Sequence, residues 1–219
     1  MGRGNRPSSW PLTSYSARVA GTGCATQVRS RTDDGLGAFE MQEIEVKYRV
    51  YDLEALEREL ATRGAALSRP VRQDDQAYAP QGWAYGLPKT GVAFARLRSE
   101  DDRCVFTVKK PLENEMACVE HETAVADRAQ MHQAVLAMGF VPTVRIVKTR
   151  RSARLGEIAV CVDDVEHAGL FFEVERVLAA ADNPMAIQGQ LDDFARSLGV
   201  ALERVTDTYD SLVRGALAG

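Results

Sequence analysis

Polar and ionisable side chains recur two positions apart in six runs of this chain: Glu43, Glu45 and Lys47; Arg96 and Arg98; Thr107 and Lys109; Glu120 and Glu122; Lys148 and Arg150; Glu173 and Glu175. In an extended strand a spacing of two puts side chains on one face, while the intervening Ile44, Val46, Leu97, Val108 and Val174 point the other way. One such strand would be an ordinary amphipathic edge with a solvated charged face. Repetition argues otherwise, because solvated faces mix Ser, Thr, Gln and Lys, whereas most of these runs carry charges of nearly one sign. If the faces turn inward, one lumen holds six glutamates and at least six basic groups. Such a lumen is a wet cavity, since unpaired buried charge is prohibitively costly in a dry core. Its arginines and lysines are suited to phosphate oxygens, and its carboxylates to Mg2+ or Mn2+, hard cations that bridge protein to polyphosphate. The pattern predicts a metal-dependent polyphosphate site made of side chains.

The elements that must position these residues follow from periodicity and caps. After the first strand, Asp52 caps a helix over 52–63, with Leu53, Leu56 and Leu60 on one face and Gly64 as its stop. Strands are predicted from Val71 to Pro80, Val92 to Arg98 and Cys104 to Lys109, the last two forming a hairpin around Ser99 to Arg103. Met116 to Val125 is another alternating strand, and Asp127 opens a helix ending near Gly139. A second hairpin, Phe140 to Arg151 and Glu157 to Val165, turns at Leu155-Gly156, and Leu170 to Leu178 completes the set. Asn183, Pro184 and Gly199 delimit a third helix, and a short one spans Thr208 to Ala218. About eight strands in antiparallel, hairpin-connected order with four helices imply an α+β fold: an eight-stranded antiparallel β-barrel, or tunnel, flanked by helices. No glycine-rich phosphate loop, G-x-S-x-G elbow or dinucleotide fingerprint is present.

Bulk properties narrow the partners. With 219 residues, 45% hydrophobic, the chain suffices for one sizeable core, which we expect over 41–219. A formal charge of -4 and a pI near 5.5 disfavour nucleic acid as a partner. No apolar run is long enough to span a bilayer and no secretory segment is evident, so a soluble, cytoplasmic protein without a membrane partner is expected. Residues 1–40, rich in Gly, Ser, Thr and Arg, read as a disordered extension. Cys24, Cys104, Cys118 and Cys161 are scattered among apolar neighbours and read as buried thiols.

Glu43-x-Glu45-x-Lys47, Arg96-x-Arg98, Thr107-x-Lys109-x-Pro111, Glu120-x-Glu122, Lys148-x-Arg150, Asp163 or Asp164, and Glu173-x-Glu175 stand in the order seen in the CYTH superfamily, the triphosphate tunnel metalloenzymes, which this chain resembles over about 41–178. The resemblance implies that Glu43, Glu45, Glu173 and Glu175 ligate Mg2+ or Mn2+, supported by Glu120 and Glu122. It implies that Lys47, Arg96, Arg98, Lys109, Lys148 and Arg150 clamp phosphates and offset charge in the transition state, Lys47, Arg96 and Arg98 being the catalytic candidates. Alternation alone does not decide whether Asp163 or Asp164 faces inward; similarity to the cyclase-like branch favours Asp163 as a metal ligand. Gln73 to Tyr78 resembles the Q-x-D-x-Y-F segment of the cyclase and thiamine-triphosphatase branch, with Ala79 in place of the aromatic. The expected function is that of a class IV adenylate cyclase, converting ATP to cyclic AMP and pyrophosphate. The alternatives are an inorganic or thiamine triphosphatase and a catalytically silent nucleotide- or polyphosphate-binding module. The expected partner is a triphosphate such as ATP, thiamine triphosphate or tripolyphosphate, and a homodimer would be unsurprising.

Overall fold

The structure, a computed structural model, describes residues 42–179 and 182–219. The expected disordered segment 1–40 and Cys24 lie outside them. Among the described residues the order is β1 (Gln42–Val50), α1 (Leu53–Thr62), β2 (Val71–Pro80), β3 (Phe94–Glu100), β4 (Arg103–Pro111), β5 (Ala117–Val125), α2 (Arg128–Ala137), β6 (Phe140–Leu155), β7 (Ile158–Val165), β8 (Gly169–Val177), α3 (Pro184–Ser197), β9 (Leu202–Val205) and α4 (Tyr209–Ala218). The sheet runs β5-β4-β3-β2-β6-β7-β8-β1-β9, every pairing is antiparallel, and β5 returns to β1 to close an eight-stranded barrel.

Closure is narrow: only Gln42, Glu43 and Ile44 pair with Val119, Cys118 and Ala117. Beyond that point the same edge of β1, from Lys47 to Val50, pairs with β9. This ninth strand was not expected from the sequence. Its four residues carry too little pattern to be read as a strand, and its place is set by the edge that β1 exposes where it leaves β5. The β3–β4 hairpin is also tighter than expected: strand pairing continues to Glu100 and Arg103, leaving Asp101-Asp102 as the turn, with Asp101 at φ 48°.

Charges line the interior, so the hydrophobic core sits outside the barrel. Ile44, Val46, Tyr48 and Val50 of β1, with Val160, Val162, Phe172 and Val174, pack against Leu56 and Leu60 of α1 and Ile187, Leu191 and Ala195 of α3. Leu97, Ala95 and Tyr78 pack against Val135 of α2. The helices begin as their caps dictate: Asp52, Asp127 and Asn183 accept hydrogen bonds from the amides of Ala55, Gln130 and Ala186. A third cluster differs in kind, because Ile146 and Ala77 face into the barrel. There Val213, Leu212 and Tyr209 of α4 pack with Phe171, Val165, Val144 and Ile146. One inner region is thus closed by α4 rather than by charge pairing. Among the described residues no helix is long and apolar enough to cross a membrane.

Candidate functional site

The barrel encloses a cavity of about 450 Å³ lined by Glu43, Glu45, Lys47, Arg96, Arg98, Lys109, Glu120, Glu122, Lys148, Arg150, Glu173 and Glu175. The structure thus brings together twelve of the thirteen site residues expected from the sequence. The thirteenth, Asp163, faces inward and is fully buried but does not line the cavity, whereas Asp164 is exposed on the outside. Arg151 and Lys110 point outward, Arg151 toward Glu57 of α1 and the carbonyl of Ser68.

Pairing of β1 with β8 builds an acidic wall. Glu45 is the direct cross-strand partner of Glu175, and Lys47 of Glu173. Two like charges opposite each other weaken a ladder, so the fold tolerates this pair rather than gaining from it. Glu45, Glu173 and Glu175 each place a carboxylate oxygen within 4.8 Å of the others, an all-oxygen donor set that suits a hard divalent cation. Burial and the neighbouring Glu173 raise the Glu45 carboxyl above its usual range, and burial with Glu175 and Glu120 pushes Glu43 up to about 9. Burial would also raise Glu173, but Lys47 at 3.3 Å and Arg150 hold it at about 2.

These shifts fix a sign. A carboxyl raised from 4.5 to about 9 keeps a proton in the folded chain that the unfolded chain has lost, so its stabilising contribution is full below 4.5 and declines as pH rises toward 9. Lys148, pushed down to about 8 from 10.5 by burial and Arg150, acts oppositely only above 8. The melting temperature of cation-free protein is therefore expected to fall between pH 5 and 8. Added Mg2+ or Mn2+ should restore it increasingly as pH rises. A melting temperature rising across that window, with or without the cation, would contradict this account.

The remaining walls are basic, and most of their cations are already paired. Arg98 makes a two-point contact with Asp75, Nε to Oδ1 and Nη2 to Oδ2, both 2.7 Å. Burial alone would raise the Asp75 carboxyl, but Arg98 holds it well below the carboxylate range. Lys109 pairs with Glu120, its cross-strand partner; burial would lower the ammonium, but Glu120 together with Glu45 and Glu43 keeps it well above its usual range. Arg96 donates to Thr107 Oγ1 at 3.0 Å and approaches Glu122 at 3.6 Å, while its buried Nε has no hydrogen-bond partner. A buried donor left over beside a cavity is available to an anion. Asp163 lies behind the cavity, accepting from Lys148 at 2.9 Å, from Arg150 at 2.7 and 2.5 Å, and from the Tyr209 hydroxyl at 2.8 Å. Its oxygens are committed to those donors.

Sequence reading missed three contributors. Asp75 lay in a segment already noted, but its link to Arg98 needs the β2–β3 register that sets the two opposite. Tyr209 stands at the start of α4, outside any strand pattern. Lys89, in the loop before β3, is buried, reaching Ser211 Oγ at 2.9 Å, Glu115 at 3.1 Å, Asp210 at 3.4 Å and the Thr208 hydroxyl; it ties α4 to two loops. No two-residue spacing marks either residue.

A tunnel of cations facing clustered carboxylates agrees with the family model for the CYTH domain, which matches residues 41–209. The chain belongs to the CYTH family. Among CYTH-like relatives, a protein of Methanocaldococcus jannaschii named "Putative adenylate cyclase MJ0240" is 24% identical over 167 residues, 75% of this chain and 94% of that protein. The solved PH1012 protein from Pyrococcus horikoshii superposes with a TM-score of 0.65 at 26% identity, covering 78% of this chain and 99% of the other. HpAC1 from Hippeastrum, named a "Putative adenylyl cyclase" and described as having a dominant triphosphatase activity, shares the fold at TM-score 0.53 and 19% identity, over 79% and 95% of the two chains.

Proposed function

We propose that this CYTH protein binds a triphosphate together with Mg2+ or Mn2+ and cleaves a P–O–P bond by in-line displacement, the leading reaction being cyclisation of ATP to cyclic AMP and pyrophosphate. The observation that carries this is the cavity itself, which three convergent carboxylates share with Arg96, Lys109 and Lys148. Glu45, Glu173 and Glu175 would hold the cation, with Glu43 and Glu120 beside them. Asp163, its oxygens taken by Lys148, Arg150 and Tyr209, anchors those cations in our reading rather than ligating metal. A bound divalent cation supplies neutralisation of phosphate charge and polarisation of a phosphoryl oxygen.

The side chains supply the rest. Arg96, through its unpaired Nε, and Lys109 receive phosphate oxygens on one wall; Lys47 and Lys148 meet them on another. Asp75 and Asp163 hold Arg98 and Arg150 in fixed orientations, so their charge stabilises the displacement without reorganising. In the cyclase reaction the ribose 3′-hydroxyl attacks the α-phosphorus; in a triphosphatase, water attacks the terminal phosphorus. The second reading draws support from the Hippeastrum neighbour. Purified protein incubated with ATP, thiamine triphosphate or tripolyphosphate and Mn2+ or Mg2+, followed by product separation, distinguishes them. Cyclic AMP with pyrophosphate identifies the cyclase, orthophosphate without cyclic AMP identifies the triphosphatase, and no turnover of any of the three sinks the enzymatic reading in favour of a binding module.

A further inference from the structure

The observations furthest from the expected motifs converge on Tyr209. Its ring lines the cavity from α4, with the Lys47 ammonium 4.1 Å and the Lys148 ammonium 4.6 Å from its centroid. It packs T-shaped against the Phe171 ring, centroids 5.3 Å apart at 69°, and its hydroxyl donates to Asp163. Two ammonium groups over one ring is an arrangement that sequence spacing does not require.

We propose that Tyr209 is a positioning residue for phosphate binding, its ring holding the Lys47 and Lys148 ammoniums toward the cavity beside the carboxylates that pair with them. The inference rests on the triphosphate reading above. The physical reason lies in what else could hold them. Lys47 stands 3.3 Å from Glu173 and 3.6 Å from Glu45, and Lys148 2.9 Å from Asp163, so both ammoniums are drawn toward carboxylates on the barrel wall. An aromatic face attracts a cation through its quadrupole but carries no net charge. It also restricts two flexible lysine stems before a ligand arrives, lowering the ordering cost of binding. The ring is itself fixed from both sides. Val213 and Leu212 seat α4 on Phe171, Val144 and Ile146, and Lys89 ties its first turn to Glu115.

Tripolyphosphate titrated calorimetrically into the purified chain, with lysine εCH2 resonances followed by NMR, tests this. Tyr209→Phe keeps the ring and should bind within about threefold of wild type, with the ring-shifted resonances of Lys47 and Lys148 retained. Tyr209→Leu should weaken binding about tenfold or more and lose those shifts. In turnover the loss should fall on KM rather than kcat. Val135→Ala cuts into the cluster under α2, which includes neither α4 nor a cavity lysine; it should lower the melting temperature while leaving affinity within about threefold. The inference is overturned if Tyr209→Leu binds like wild type, if Tyr209→Phe loses as much as Tyr209→Leu, or if Val135→Ala weakens binding equally. Wild-type protein that shows the ring shifts yet binds no tripolyphosphate overturns the triphosphate reading first, and this inference with it.

Discussion

Glu45→Gln is expected to lower metal-dependent turnover by about 100-fold or more, while leaving the cation-free fold as stable as wild type or more so. The two effects have one cause. Glu45 faces Glu175 directly across the β1–β8 ladder and shares a cluster with Glu173, so its charge is opposed by its neighbours whenever no cation is present. Burial first, and then the charge of Glu173, raise the Glu45 carboxyl above its usual range. Glutamine keeps the shape, removes the repulsion and deletes one anionic ligand. Thermal melts with and without Mn2+ check this beside a turnover assay: the gain in melting temperature on adding Mn2+ should largely vanish in the variant. Wild-type turnover by Glu45→Gln would remove the acidic wall from the mechanism.

Asp163→Ala has the largest expected effect on stability, a loss of about 3–5 kcal/mol. Asp163 is fully buried and offers its carboxylate to Lys148, Arg150 and Tyr209 at once. Burial would push this carboxyl up, but the two cations override it and hold it far below the usual range. Deleting it leaves Arg150 only Glu173 and leaves Lys148 buried without its anion. Against a total stability of about 5–15 kcal/mol, such a loss approaches unfolding. Urea denaturation at pH 7 measures it, and Asp163→Asn, which keeps shape and a hydrogen-bonding oxygen, should lose less. A cost for the alanine variant below about 1 kcal/mol would mean that the three donors find other partners.

Much of this was legible in the sequence because strand geometry is simple. A spacing of two sends side chains to one face, and six runs obeying it sufficed to name the residues that would share a lumen and the fold that would enclose them. The rule goes silent where polarity does not alternate. In β7 the residues Ala159, Val160, Cys161 and Val162 are all apolar, so neither face is marked, and the choice between Asp163 and Asp164 waits on the register that sets Arg150 opposite Asp163. Four residues of β9 carry no usable period, and Tyr209 belongs to a helix for which strand periodicity says nothing.

What the sequence determined by itself is which carboxylates, ammoniums and guanidiniums of each alternating run share a face, since that depends only on local alternation. What the tertiary structure decided is how those charges are divided among themselves. Arg98 goes to Asp75, 23 positions away, Lys148 and Arg150 go to Asp163, and Arg96 keeps a donor in reserve. Pairing, and with it each group's readiness for phosphate or metal, depends on cross-strand register and barrel closure. Those are long-range properties that no local spacing encodes.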